Sequence, residues 1–255
     1  MDHEEYCARL SAEITRMASV AEGAAPTSPV PGCPGWDLAK LVKHTGIIHR
    51  WAAAVVATRA TGPIARDALD VGLPADQAQY PQWLAAGATP LVTVLRAAGP
   101  AAPVWSWASE AGAGSGWWAR RMLHETTVHR ADAETALGVE PSIEARAAAD
   151  GIDEFLSTAP RASRPGRRLG DLPAGQSIHL HATDDGLGEA GEWLISVGDG
   201  GYSWSHGHAK GSLAVRGPAA ALLLLAYGRV TADDERLALF GDQALIARWQ
   251  EVMTL

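Results

Sequence analysis

Residues 117–134 read WWARRMLHETTVHRADAE, and the spacing within this stretch decides the fold. It predicts one helix. Glu125 and His129 are four residues apart, which on an α-helix sets both side chains on one face, about one turn from each other. A carboxylate and an imidazole converging from one helix make half of a metal site. His44 lies upstream in GWDLAKLVKHTGIIHRW, residues 35–51. That segment also reads as a helix, with His44 between Leu41 and Ile48 on its inward side. Two histidines and one glutamate with a further position open are the ligand set of a catalytic zinc or a non-haem iron site. Taken on its own segment, His44 reads equally well as a buried, hydrogen-bonded core histidine.

The string HETTVH is not the HExxH pattern, in which two histidines at i and i+4 bind zinc and the glutamate acts as base. Here His124 and His129 are five residues apart and diverge by about 140° around a helix. The pair that can share a metal is therefore Glu125 with His129, and His124 points elsewhere. Asp132, three residues beyond His129, has two readings. It can accept a hydrogen bond from the ring nitrogen that a metal leaves unused, or it can pair with Arg120 or Arg121.

Working outward, Asp2 to Ala21 shows helical spacing through Leu10, Ile14, Met17 and Val20. A Pro-rich loop follows at 23–35. Asp37 is the expected N-cap of the helix that carries His44, which runs to about Thr61. Residues 62–80 are irregular, Tyr80 to Ala98 reads as one helix, and 99–116 as a loop. The 117–134 helix stops at Gly138, and Ile143 to Ser157 makes a fifth helix. Packed in order, these helices form an up-and-down bundle. The segment ASRPGRRLGDLPAGQ, residues 162–176, reads as a linker. Beyond it, strands are expected at Ser177–Thr183, Glu192–Val197, Tyr202–Trp204 after a Gly200-Gly201 turn, and Ala209–Val215. Helices follow at Pro218–Tyr227 and Gln243–Met253. The expected division is a helical domain over 1–161 and a small α+β domain over 170–255.

The chain has 255 residues, 47% of them hydrophobic and 20% charged, and a net charge of -8. A core can form, and the absence of a basic run argues against a nucleic-acid partner. Two cysteines, Cys7 and Cys33, are no disulfide framework and suit a reducing cytoplasm. The acidic N-terminus lacks an apolar signal core, and the most apolar stretch, 219–226, is too short to span a bilayer. No GxSxG, P-loop or GxGxxG pattern with its acidic partner occurs. Ten Trp stand beside two Phe. Core packing is the plain reading of these rings, and an aromatic wall at Trp117 and Trp118 beside the metal-bearing helix is the sharper one.

Other side chains have weaker claims. Cys33 as a nucleophile lacks any sequence feature that would lower its pKa. His179 and His181 share one face of a strand, and His206 and His208 repeat that spacing. A half-exposed sheet face or hairpin is the favoured reading, and a second metal site the alternative. Arg216, Arg229 and Arg236 are candidate anion anchors.

These strings resemble a known family. GWDLAKLVKHTG, ExxxHRADAE and the C-terminal SIHLHATD, GEWLISV, VRGPAAALLLLAYGR and FGDQALIARW are similar to the mycothiol-dependent maleylpyruvate isomerases of actinobacteria. The resemblance covers nearly the whole chain. It implies a DinB-like four-helix bundle joined to a smaller α/β domain of sterol-carrier type. It also implies a divalent metal, normally zinc, on His44, Glu125 and His129, and mycothiol as a cytoplasmic cosubstrate. Trp117 and Arg121 are the candidate contacts for that cosubstrate. A C-terminal arginine would bind the substrate's carboxylates, Arg229 first and Arg236 second.

The implied chemistry starts from a metal-coordinated thiol losing its proton. The thiolate adds to a conjugated cis double bond, the new single bond rotates, and loss of thiolate gives the trans product. Thiol S-transfer to a small electrophile needs the same parts. A thiol-independent metal hydrolase or lyase is the first alternative. A non-catalytic protein enclosing an apolar ligand is the second. A monomer or a homodimer fits either, with no membrane partner.

Overall fold

The structure is a computed structural model that describes residues 1–108, 114–161, 173–199 and 201–253. It divides into two compact units, Met1–Pro141 and Ser142–Leu255. Most of the linker expected at 162–176, and Gly200 of the expected turn, lie outside the described residues.

The first unit is a four-helix bundle. Helix α1, His3–Ala21, opens with a capping box in which Asp2 accepts from the Glu5 N–H and Glu5 accepts from the Asp2 N–H. Helix α2, Leu38–Ala57, is capped by Asp37, whose carboxylate accepts from the Lys40 N–H at 2.8 Å. Helix α5, Ser115–Ala136, ends before Gly138, which adopts φ +72° as a left-handed stop. Both α1 and α2 pack against α5. Leu10, Ile14 and Met17 from α1, Leu41 and Val55 from α2, and Trp118 from α5 fill the core. Among the described residues no helix is long and apolar enough to cross a membrane.

The single helix expected over 80–98 is two, α3 (Tyr80–Ala86) and α4 (Ala88–Ala98). Two features break it at Gly87. Pro90 has no N–H for the Ala86 carbonyl, and its ring opposes a continuous turn. The Gly87 N–H turns to the Leu84 carbonyl at 3.0 Å, because Arg50 occupies the Trp83 carbonyl it would otherwise use. Arg50 lies over the Trp83 ring at 3.8 Å and donates to the Trp83 carbonyl at 2.8 Å. Trp83 in turn covers Gly46 of α2, where a Cβ would fall 2.1 Å from the indole. This contact locks the middle of α2, two residues from His44.

The second unit contains α6 (Ala145–Thr158), α7 (Ala219–Ala226), α8 (Ala244–Met253) and a five-stranded sheet. Its strands are β1 (Ser177–Ala182), β2 (Glu192–Gly198), β3 (Gly201–His206), β4 (Leu213–Gly217) and β5 (Ala238–Gly241). They lie in the order β3-β2-β1-β4-β5, with β1 and β4 parallel and every other pair antiparallel. Ile178, Leu180 and Ile195 face α7 and α8, lining a small gap with Leu225, Ile246 and Trp249.

Two expectations change here. The short strand β5 went unread, because four residues supply too little alternation. The boundary expected after 161 falls at Pro141/Ser142 instead. Helix α6 belongs to the second unit because Phe155 packs on Tyr227 and Trp249, with ring centroids 4.4 and 6.4 Å away, and Asp153 accepts from Trp193 Nε1 at 2.6 Å.

Candidate metal centre

Helix α5 is buried along most of its length. Trp117, Arg121, Glu125 and His129 follow one another at four-residue intervals, so they form one stripe along it. His44 reaches the stripe from α2. Glu125 Oε1 lies 3.2 Å from His44 Nε2 and 3.3 Å from His129 Nε2. One donor atom from each of the three residues falls within a sphere in which all pairs are closer than 4.8 Å. The His44 and His129 rings meet edge to face with centroids 5.2 Å apart. The three residues selected by sequence are thus brought together.

The second layer orients them. Asp132 Oδ2 is 3.0 Å from His129 Nδ1. Nδ1–H donates to this carboxylate, which turns Nε2 toward Glu125 and His44 and leaves it as the ring nitrogen a metal would take. Cys33 Sγ approaches the same Asp132 oxygen at 3.4 Å. On the other side, Arg121 donates to Glu125 Oε2. Burial resists ionisation of Glu125, but Arg121 and then His129 outweigh it and hold its carboxyl well below the usual range. Burial likewise resists charging of His129, yet Glu125 and Asp132 raise its pKa well above the ordinary value. Between them these groups keep a carboxylate in a nearly closed space.

The Pro-rich loop supplies the wall. Backbone bonds from Cys33 N to Val30 O, from Trp36 N to Cys33 O and from Val30 N to Trp36 O fold residues 30–36 into a tight turn against α2. This turn delivers Cys33 to Asp132 and sets the Trp36 ring 4.9 Å from His44 and 6.2 Å from His129. Trp36 is therefore the aromatic neighbour of the site. Trp118 is not: it is fully buried against Trp51 and Trp105. Trp117 packs on Trp107 and Trp118, on the α5 stripe about 12 Å along the axis from Glu125.

The remaining polar residues divide clearly. His124 is buried and outside the triad. His49 is also buried. Thr126 Oγ1 donates to the Met122 carbonyl at 2.6 Å, so the 2.8 Å contact with His49 Nε2 needs the histidine as donor. Burial pushes the His49 pKa down to about 3, so it stands as a neutral core histidine. In the second unit, Arg229 donates to the Tyr227 carbonyl at 2.9 Å. Arg236 forms a two-pronged contact with Asp234, at 2.8 Å from Nε and 2.6 Å from Nη2.

Sequence reasoning missed the roles of Trp36, Cys33 and Arg121 here. Arg121 alone carried a local signal, since an arginine four residues before a glutamate can reach it on a helix.

A helical bundle whose two inner helices converge a His, Glu and His set, continued by an α/β unit, defines a class of two-part proteins with a candidate metal site in the bundle. Residues 7–134 match the family model described as the mycothiol maleylpyruvate isomerase N-terminal domain, and residues 146–248 match that of the corresponding C-terminal domain. The chain belongs to the mycothiol maleylpyruvate isomerase family.

The chain is similar to the crystal structure of the mycothiol-dependent maleylpyruvate isomerase, with a TM-score of 0.56, 13% identity, and coverage of 94% of this chain and 93% of that one. A histidine-to-alanine mutant of that isomerase gives a TM-score of 0.56 and 13% identity over the same shares. At such identity the likeness is one of fold. No curated protein matches the sequence.

Proposed function

We propose that this protein is a metal- and mycothiol-dependent enzyme that isomerises a small cis-unsaturated acid of the maleylpyruvate type. The observation that carries the reading is the convergence of His44, Glu125 and His129 with the His129 ring already oriented by Asp132. Membership of the family supports the thiol and the reaction class.

The donor set fits a divalent metal, and zinc best: two imidazoles and one carboxylate with an open position are the ligands of catalytic zinc. A bound zinc supplies a Lewis-acid centre that lowers the pKa of a thiol entering the open position. Every other contribution belongs to the chain. His44 and His129 would each present Nε2 to the metal, His129 giving up the proton that Glu125 and Asp132 favour in its absence. Glu125 supplies the negative charge, and Arg121 fixes the orientation of its second oxygen. Asp132 holds the proton on His129 Nδ1. Trp36 covers the two rings and limits water at the ligands. Trp117 and Arg121, upstream on the same stripe, are the contacts proposed for the body of mycothiol. Arg229 first and Arg236 second are the residues proposed for the substrate's carboxylate.

The test is turnover of maleylpyruvate by the purified chain with and without mycothiol, alongside metal content by elemental mass spectrometry. Activity should need the thiol, and Glu125→Ala and His129→Ala should lose both metal and turnover. A thioether product that accumulates in place of the trans acid would assign S-transfer to the same site. Turnover that is equal without thiol, or that persists in His129→Ala, would overturn the proposal.

A further inference from the structure

The second unit has two sheet faces of different chemistry. Ile178, Leu180, Trp193 and Ile195 point to the helices and are buried. The alternate positions His179, His181 and Glu192 point the other way. His181 and Glu192 are register partners across β1 and β2. Glu192 Oε2 lies 2.6 Å from His179 Nε2, and Oε1 lies 2.7 Å from His181 Nδ1. A third imidazole arrives from the loop after β3, with His208 Nδ1 3.3 Å from Glu192 Oε1. Three imidazoles thus surround one carboxylate.

The loop bringing His208 is shaped for that approach. Gly207 takes φ +122°, which L side chains rarely adopt. Gly211 lies so close to β1 that a Cβ there would stand 2.9 Å from the His179 nitrogen and 2.5 Å from the Leu213 carbonyl. The His208 ring therefore sits edge to face on His179, with centroids 5.0 Å apart, and 6.0 Å from His181.

We propose that His179, Glu192 and His208 form a second binding site for a divalent transition metal. One donor atom each from His179, Glu192 and His208 already lies within 4.8 Å of the others, without backbone movement. Imidazoles with one carboxylate suit zinc and its neighbours rather than calcium or magnesium, which take oxygen ligands. Three protein donors leave one tetrahedral position, which water can take. The site would tie the β3–β4 loop to β1 and β2.

Arg216, register partner of His181 across β4, is a nearby cation. It is exposed, where solvent weakens its repulsion of a bound ion.

The test is zinc stoichiometry and affinity by equilibrium dialysis on the full chain, in a His44→Ala, His129→Ala background that silences the bundle site. That chain should retain one equivalent of zinc. Adding His208→Ala or Glu192→Gln should weaken it at least about tenfold, the lower end of what losing even an outer-shell partner does. Cobalt substitution should give a visible tetrahedral d–d spectrum that both changes remove. If the silenced background does not fold, His208→Ala in the otherwise native chain is the second measurement, since His208 is an exposed loop residue. It should lower total zinc by one equivalent with the bundle zinc intact. Retention of the same zinc in His208→Ala and Glu192→Gln, or no zinc beyond the bundle equivalent in the native chain, would overturn the proposal.

Discussion

Replacing Asp132 by Asn tests how the bundle site is prepared. Asp132 is buried and receives His129 Nδ1–H at 3.0 Å. Asn is nearly isosteric and retains a carbonyl acceptor, so the hydrogen bond can survive while the charge is lost. What the variant removes is the electrostatic support that makes His129 Nε2 a stronger base. Outer-shell changes of this kind typically weaken metal binding about 10–100-fold, or about 1.4–2.7 kcal/mol. We place Asp132→Asn toward the upper part of that range, because a 3.0 Å contact between side chains exposed by only 11% and 1% is little screened.

The assay is competition for zinc against a chromophoric chelator at neutral pH. Cys33→Ala is the control. Its thiol touches the same oxygen at 3.4 Å but is a weak donor, so its loss should change affinity several-fold less. Zinc affinity in Asp132→Asn equal to that of the native chain would refute the reasoning and make the Asp132 contact structural only.

Other consequences follow from the same geometry. Gly46→Ala drives a methyl into the Trp83 indole, at 2.1 Å before relaxation. Overpacking of this kind destabilises by about 1–3 kcal/mol, read as a lower urea midpoint with an unchanged slope. For acid stability, His49 (pushed to about 3 by burial) and Glu125 (held low against burial by Arg121 and His129) both have depressed folded values. Each contributes stability present above its unfolded value, near 6.5 and 4.3 respectively, and lost as pH falls. The metal-free chain should therefore weaken as pH drops below about 6.5, and His49→Gln should flatten that slope in urea titrations. His129, with a raised folded value, works in the opposite direction and is lost only as pH rises. Burial raises the Cys7 pKa to about 11, so the folded chain should resist alkylation at Cys7 near neutral pH, and rapid labelling there would contradict its burial.

How much of this was readable in the chain depends on the range of the interactions. Glu125 and His129 were legible because a helix converts a spacing of four into a shared face. Asp37 and Gly138 were legible because caps have local chemistry. The break at Gly87 carried a local sign in Pro90, but the cause that fixes its position is Arg50, far away in sequence. Helix α6 has the same local pattern whichever unit it joins, and only its partners Tyr227 and Trp249 decide. Trp36 and Cys33 reach the site through a turn whose backbone bonds no periodicity describes. For His179, His181 and His208, alternation gave the shared strand face, but the convergence on Glu192 required the β1–β2 register and the path of a glycine-bearing loop.

The polar content of α5 bears on whether the bundle site has a function beyond stability. A helix buried along most of its length would be at least as stable with apolar residues at its inward positions, since replacing buried ion pairs by packed hydrophobic side chains is often neutral or stabilising. Yet α5 buries Arg121, His129, Arg130, Asp132 and Glu134. Two of these have a packing explanation. Arg130 joins Glu13 of α1 to Glu134, and Arg16 returns to Glu134 at 2.8 Å, closing a network that fixes α1 on α5. The other set is arranged around the site. Arg121 reaches back to Glu125 on its own helix, and His129 to Asp132. Their bonds orient two side chains toward His44, whose 3.2 Å contact with Glu125 joins α2 to α5. Burying that many polar groups where apolar packing would serve gives up local consistency, which is the pattern expected where residues are kept for chemistry.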